Sequence, residues 1–116
     1  MLLRLLGTRS ARVLAGAALG LSLAAPAHAQ DARDSVQNFA FGPPILTVQA
    51  GSTVTWSIDE MVFHTVTADD GSFDSDLIGP GQTFSVSFDT PGTYPYFCKP
   101  HGQPGGLGMA GVIVVT

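Results

Sequence analysis

The chain has 116 residues, a length that fits a single domain. Its five Lys and Arg residues stand against nine Asp and Glu residues, which gives a formal net charge of −4. A chain this acidic repels nucleic acid and anionic membrane surfaces, so nucleic-acid binding is excluded and a basic partner is favoured.

The first 29 residues differ in composition from the rest. Three Arg residues and no acid come before an apolar run, Val13–Ala25, which is followed by a small-x-small end. These features are typical of a secretory signal peptide. The run has 13 residues, whereas a membrane-spanning helix needs about 20, so an uncleaved anchor is the weaker alternative. We expect residues 1–29 to be a cleaved signal peptide and residues 30–116 to form one exported domain, periplasmic in a bacterium.

Beyond residue 30 the pattern predicts short β-strands separated by turns. The clearest run is Thr83–Phe88, in which Phe84, Val86 and Phe88 share one face. No apolar stripe recurs at helical spacing, and Asp69–Asp76 is predicted to be an exposed connection with room for a turn of helix. The fold class predicted is an all-β, antiparallel Greek-key β-sandwich. The predicted strands are Val36–Phe41, Leu46–Ala50, Thr53–Ile58, His64–Ala68, Thr83–Phe88, Thr93–Phe97 and Gly111–Thr116.

The most informative segment follows one of the last predicted strands. It contains Cys98, the chain's only cysteine, with His101 three residues later and Met109 just before the final strand. An unpaired thiol in an exported protein needs an explanation. Thiolate, thioether and imidazole together are ligands that select copper, and one Cys with two His and a weak axial Met describes a blue-copper electron-transfer site.

A second histidine ligand must come from elsewhere in the chain. Of the three histidines, His28 leaves with the signal peptide, so His64 is the only candidate. It begins a predicted strand, at an end of the sandwich where it could face Cys98. The sequence therefore predicts one copper ion, cycling between Cu(I) and Cu(II), held by His64, Cys98, His101 and Met109.

Each of these residues also has an ordinary structural interpretation, as a buried thiol, a core histidine or a core methionine. Their joint placement favours copper. Zinc is less well suited because thioether sulfur is a poor fourth ligand for it. A cysteine nucleophile would need a base oriented by Asn or Asp, and the one Asn, Asn38, lies in the first predicted strand. We therefore do not expect an enzyme.

The exported part resembles the cupredoxins, the blue copper proteins of the plastocyanin, pseudoazurin and amicyanin type. The resemblance implies a copper protein that shuttles single electrons. His64, Cys98 and His101 would be the equatorial ligands and Met109 the axial one, with His101 near the surface and His64 more buried. The segments that carry it are Phe41–Pro43, Leu46–Trp56, His64–Ala68, Asp70–Ser75, Pro80–Phe84, Pro91–Tyr94 and Tyr96–Val115.

The chain departs from the family in two places. Seven residues separate His101 from Met109, more than in the family's short-loop members, so Gln103 is an alternative axial donor. Thr65 stands where the family often has an Asn that braces the ligand loop, and its hydroxyl could take over part of that role.

The resemblance leaves the partners open. Redox proteins are expected, such as a basic cytochrome or a copper or haem enzyme, with this chain a monomer. The acidic residues of the predicted connection either steer such a partner or are only a solvated surface. A copper-binding or copper-delivery module of the periplasm is the alternative function, since Met61 near His64 offers an additional soft ligand.

Overall fold

The computed structural model describes residues 30–116, so the predicted signal peptide lies outside the described residues and stays a prediction. This part contains strands and turns but no helix, and hence none long and apolar enough to cross a membrane. The strands are β1 Ala32–Gln37, β2 Ala40–Gly42, β3 Ile45–Val48, β4 Ser52–Ile58, β5 Thr67–Ala68, β6 Thr83–Phe88, β7 Gly92–Gln103 and β8 Leu107–Val115.

The strands form two four-stranded sheets, in the orders β2-β1-β4-β6 and β3-β8-β7-β5. The predicted all-β sandwich is confirmed. Pairing within it is mixed, because β1 runs parallel to β4 and β3 runs parallel to β8 while the other pairs are antiparallel. Parallel neighbours arise where the chain crosses to the other sheet between two strands instead of turning straight back.

Alternation along β4 builds the centre of the core. Ser52, Val54, Trp56 and Ile58 are buried, whereas the residues between them are only half-buried. The Trp56 ring lies 5.2 Å, centroid to centroid, from the ring of Tyr96 in the opposite sheet, with the two planes edge to face. This packing joins the two sheets through a large buried aromatic area.

The predicted first strand, Val36–Phe41, is wrong as a single element. A two-residue turn, Asn38-Phe39, divides it into β1 and β2, and both turn residues have a positive φ, 58° and 55°. Such a turn suits a two-residue hairpin, but Gly normally occupies one of its positions. Without a Gly the sequence carries no strong turn signal here, and Phe at positive φ is unusual.

The end of the chain also differs from the prediction. β7 continues past Phe97 to Gln103 and β8 begins at Leu107, so the predicted loop is largely a long β-hairpin. Conversely, only Thr67–Ala68 of the predicted His64–Ala68 strand is regular. The acidic connection Asp69–Asp76 contains turns and a single β-bridge but no helical turn.

Within residues 30–116 the core contains one carboxylate. Asp34 of β1 is fully buried, opposite Trp56 in the parallel ladder, and neither of its carboxylate oxygens has a hydrogen-bond partner among the described residues. The indole N–H of Trp56 and the hydroxyl of Tyr96 also lack one. Burial raises the pKa of Asp34 from 3.8 to about 7, which the nearby backbone amide of Gly42 only partly offsets.

Candidate metal centre

An irregularity in the β7–β8 hairpin positions the first part of the site. Phe97 pairs with Ala110 and Gly102 pairs with Gly108, so residues 98–101 face a single residue, Met109. Pro100, which has no N–H to donate, falls inside this bulge. Extra residues on one strand re-aim side chains locally. Here they place Cys98 and His101 together at the same end of the hairpin.

His64 reaches the same place from another part of the chain. Its backbone exchanges two hydrogen bonds with Ile78, at 3.0 and 2.9 Å, in an isolated β-bridge. The side chain is completely buried. This bridge fixes the imidazole beside the bulge.

The three side chains meet around one point. The Cys98 Sγ lies 3.5 Å from His64 Nδ1 and 3.4 Å from His101 Nδ1, and all three ligand atoms are within 4.8 Å of one another. Metal–sulfur and metal–nitrogen bonds are roughly 2.0–2.3 Å long. One ion can therefore contact all three atoms, and the donor set of one thiolate and two imidazoles suits copper.

Met109 is the sulfur-bearing residue on the strand opposite the bulge, and it is buried in the core cluster that includes Cys98. Gln103 lies farther along the hairpin, where it is exposed and pairs with Leu107. The fold therefore favours Met109 over Gln103 as the fourth donor.

The burial of Cys98 disfavours an uncompensated thiolate. Burial raises the pKa of its thiol, although the Thr65 N–H, which points at Sγ over 3.4 Å, works in the opposite direction. A buried thiolate is stable only against a compensating charge, and a metal ion supplies one by displacing the thiol proton.

Thr65 links the two segments that carry the ligands, as its predicted bracing role requires. Its hydroxyl accepts the Lys99 N–H at 2.8 Å and lies 2.9 Å from the Thr67 hydroxyl. The Thr67 hydroxyl in turn donates to the Asp74 carboxylate at 3.0 Å. Because a carboxylate only accepts, the chain runs in one direction: the Thr65 hydroxyl donates to Thr67. Asp74 also pairs with the Lys99 ammonium, which closes the network.

Two residues of the site were not predicted. Glu60 accepts a hydrogen bond from His64, with 2.6 Å between Oε2 and Nε2, and Phe39 packs edge-on against both imidazoles. Phe39 lies in the turn after β1, and Glu60 lies in the loop after β4. Neither position carries a motif, so no local signal indicates them.

Exposure separates the two histidines as the resemblance implied. His64 is fully buried, whereas His101 is partly accessible at the surface. Phe39 is exposed and packs edge-on against the His101 ring. Leu77 and the adjacent Pro100 line a shallow depression together with Thr65, Asp76 and Lys99. Met61 is 86% exposed and faces solvent.

Comparison with known proteins agrees with a copper site at these residues. The family described as copper binding proteins, plastocyanin/azurin family, matches residues 28–116. A chloroplastic plastocyanin from Tetradesmus obliquus is 33% identical over 92% of this chain and 81% of its own length. Amicyanin-alpha from Methylorubrum extorquens is 38% identical over 76% of each chain. Among solved structures, a purple cupredoxin from Nitrosopumilus maritimus superposes with a TM-score of 0.65 at 26% identity, over 74% of this chain and all of that one.

Proposed function

Because this chain belongs to the plastocyanin/azurin family of copper-binding proteins, we propose that it shuttles single electrons between redox proteins on one type 1 copper ion. The observation that carries the proposal is the convergence of Cys98 Sγ and the Nδ1 atoms of His64 and His101. His64 comes from an isolated β-bridge, and Cys98 and His101 come from the bulge in the β7–β8 hairpin, so β-structure supports all three ligand atoms.

Within this proposal the ligand set is the one that the family resemblance implies. His64, Cys98, His101 and Met109 would hold the copper ion. Copper supplies the exchange of one electron between Cu(II) and Cu(I). The chain's own contribution is a pre-shaped donor set in which His64, Cys98 and Met109 are buried, which limits the rearrangement that a change of charge requires.

The electron would pass through His101, because its ring is the ligand that reaches the surface. Phe39, packed against the ring, and the adjacent Pro100 present apolar surface beside it, while Asp76 and Lys99 border the depression that Pro100 lines. Such a surface suits brief contacts of small area, which are typical of redox encounters.

The acidic surface favours a basic redox partner, such as a cytochrome or a copper or haem enzyme. Asp76 is exposed and borders the depression beside Pro100, whereas the charge of Asp74 is partly balanced by Lys99. Long-range attraction of this kind weakens with salt. Raising the ionic strength should slow electron exchange with a basic cytochrome about tenfold, and a flat dependence would remove the steering role.

The proposal also includes export of the protein from the cytoplasm. The basic, then apolar, then small-residue start of the sequence supports a signal peptide at residues 1–29 and export of residues 30–116, to the periplasm in a bacterium. The mature domain would act as a monomer without catalytic activity of its own. The intact mass of the exported protein checks the cleavage site.

Voltammetry and copper exchange distinguish the proposed carrier from a copper-delivery module. An electron carrier should give a reversible one-electron wave and keep its copper when mixed with a chelator, because all donors are buried or packed. A delivery module should lose copper readily to a chelator or an apo-protein. The solvent-facing Met61 gives that alternative no structural support. Rapid copper loss with an irreversible wave would contradict the carrier proposal.

A further inference from the structure

The Glu60 carboxylate accepts hydrogen bonds from three N–H groups, which belong to two separate parts of the chain. One oxygen, Oε2, lies 2.6 Å from His64 Nε2 and accepts the Phe39 N–H at 3.1 Å, while the other, Oε1, accepts the Asn38 N–H at 2.8 Å. The side chain itself is only 16% exposed. A carboxylate with three donors and little contact with water is a strong, charge-assisted acceptor.

The contact with His64 decides which ring nitrogen carries the proton. A carboxylate can only accept, so Nε2 must donate, and in the neutral ring this leaves Nδ1 as a bare lone pair. Nδ1 is the atom that faces Cys98 Sγ. Glu60 therefore prepares His64 in the form that binds a metal, and a carboxylate behind a ligating imidazole also makes that ligand more basic.

The contacts with the turn have a second consequence. Asn38 and Phe39 both adopt a positive φ, a conformation that non-glycine residues rarely take unless something holds them. Glu60 accepts both of their amide protons. The turn carries the Phe39 ring to 5.8 Å from the His64 ring and 4.9 Å from the His101 ring, edge to face in both cases.

We propose that Glu60 is a positioning residue that sets the tautomer of His64, lowers the reduction potential of the copper site, and holds Phe39 over both imidazoles. The statement about the potential rests on the proposed function. A negative charge hydrogen-bonded to a ligand favours the more positive metal ion, so Cu(II) gains more than Cu(I) from Glu60.

The neighbouring Asp59 provides a matched control. Its Oδ2 accepts hydrogen bonds from the hydroxyls of Ser35 and Ser57, at 2.5 and 3.0 Å, and its side chain faces solvent. It has the same charge, one residue away, but no hydrogen bond to His64. Asp59→Asn and Glu60→Gln therefore change the net charge equally and differ in the contact with the ligand.

The reduction potential and the Nε2 proton resonance of His64 test the proposal. In Glu60→Gln the ratio of Cu(I) to Cu(II) affinity should rise roughly tenfold, which corresponds to a potential about 59 mV higher for one electron. In Asp59→Asn it should change much less. The Nε2 proton should be strongly downfield in the metal-free and Cu(I) forms of the unmodified protein, and should move upfield and exchange faster in Glu60→Gln.

The outcomes separate this inference from the proposed function. Equal shifts of potential in both variants, or none in Glu60→Gln, would overturn the inference while the copper site stands. A protein that binds no copper would overturn the function, and the His64 proton in the metal-free protein would still test the contact. If Glu60→Gln does not fold, a His64 of the unmodified protein that carries its proton on Nδ1 is enough to refute the proposal.

Discussion

Replacing Cys98 by Ser is expected to abolish the intense visible absorption of the copper-loaded protein. That absorption arises from charge transfer between the thiolate and Cu(II), and Cys98 is the only thiol in the chain. Ser also places a hydroxyl in a fully buried position next to two imidazoles. We expect complete loss of the band and a loss of stability of about 1–3 kcal/mol in the metal-free protein. The checks are a visible spectrum and denaturant unfolding.

The Met61→Leu variant is the matched control for this substitution. It also removes a sulfur atom close in sequence to a proposed ligand, but Met61 is 86% exposed. Its spectrum should be unchanged. A visible band that survives in Cys98→Ser would mean that the thiolate is not the ligand, and a band lost in Met61→Leu would support the copper-delivery alternative.

The second large effect is expected from Asp34→Asn and depends on pH. The pKa of Asp34 rises on folding from 3.8 to about 7, because burial disfavours the charged form. Between these values the folded protein holds a proton that the unfolded chain has released, so stability falls as pH rises. The free energy of unfolding should decrease by about 2–4 kcal/mol from pH 4 to pH 8, after allowance for solvent screening.

Asn cannot ionise, so Asp34→Asn should remove this dependence. Its effect should be small at pH 4, while at pH 8 the variant should be more stable than the unmodified protein by about 2–4 kcal/mol. Asp89→Asn, at an exposed position beyond the end of β6, should leave the pH profile as it is. Denaturant unfolding of the metal-free protein across this pH range is the measurement. Parallel profiles for Asp34→Asn and the unmodified protein would contradict the account.

Strands whose pattern is local were predicted well. Thr83–Phe88 has the predicted bounds, because its alternation of Phe and Val with polar residues is complete within six residues. The convergence of His64, Cys98 and His101 was also predictable, since few residue types bind copper and residues 30–116 contain only these two His and one Cys. A site that needs rare residue types such as Cys and His is therefore easier to predict from a sequence.

Features that depend on distant contacts were not predictable. The turn at Asn38-Phe39 has no Gly, and the carboxylate that accepts its amide protons, Glu60, lies more than twenty residues away. The extension of β7 and β8 into a Gly-rich segment was also missed, because Gly and Pro normally indicate loops. The turn depends on a residue distant in the chain, whereas the hairpin is extended by local pairs, Gly102 with Gly108 and Gln103 with Leu107.

The central claim is that one thiolate and two imidazoles bind a single copper ion. Titration of the metal-free mature protein with Cu(II), followed by visible absorption, tests this most directly. The account predicts an intense charge-transfer band that grows linearly and stops at one copper per chain. Stoichiometric binding of copper to a protein that stays colourless would contradict it.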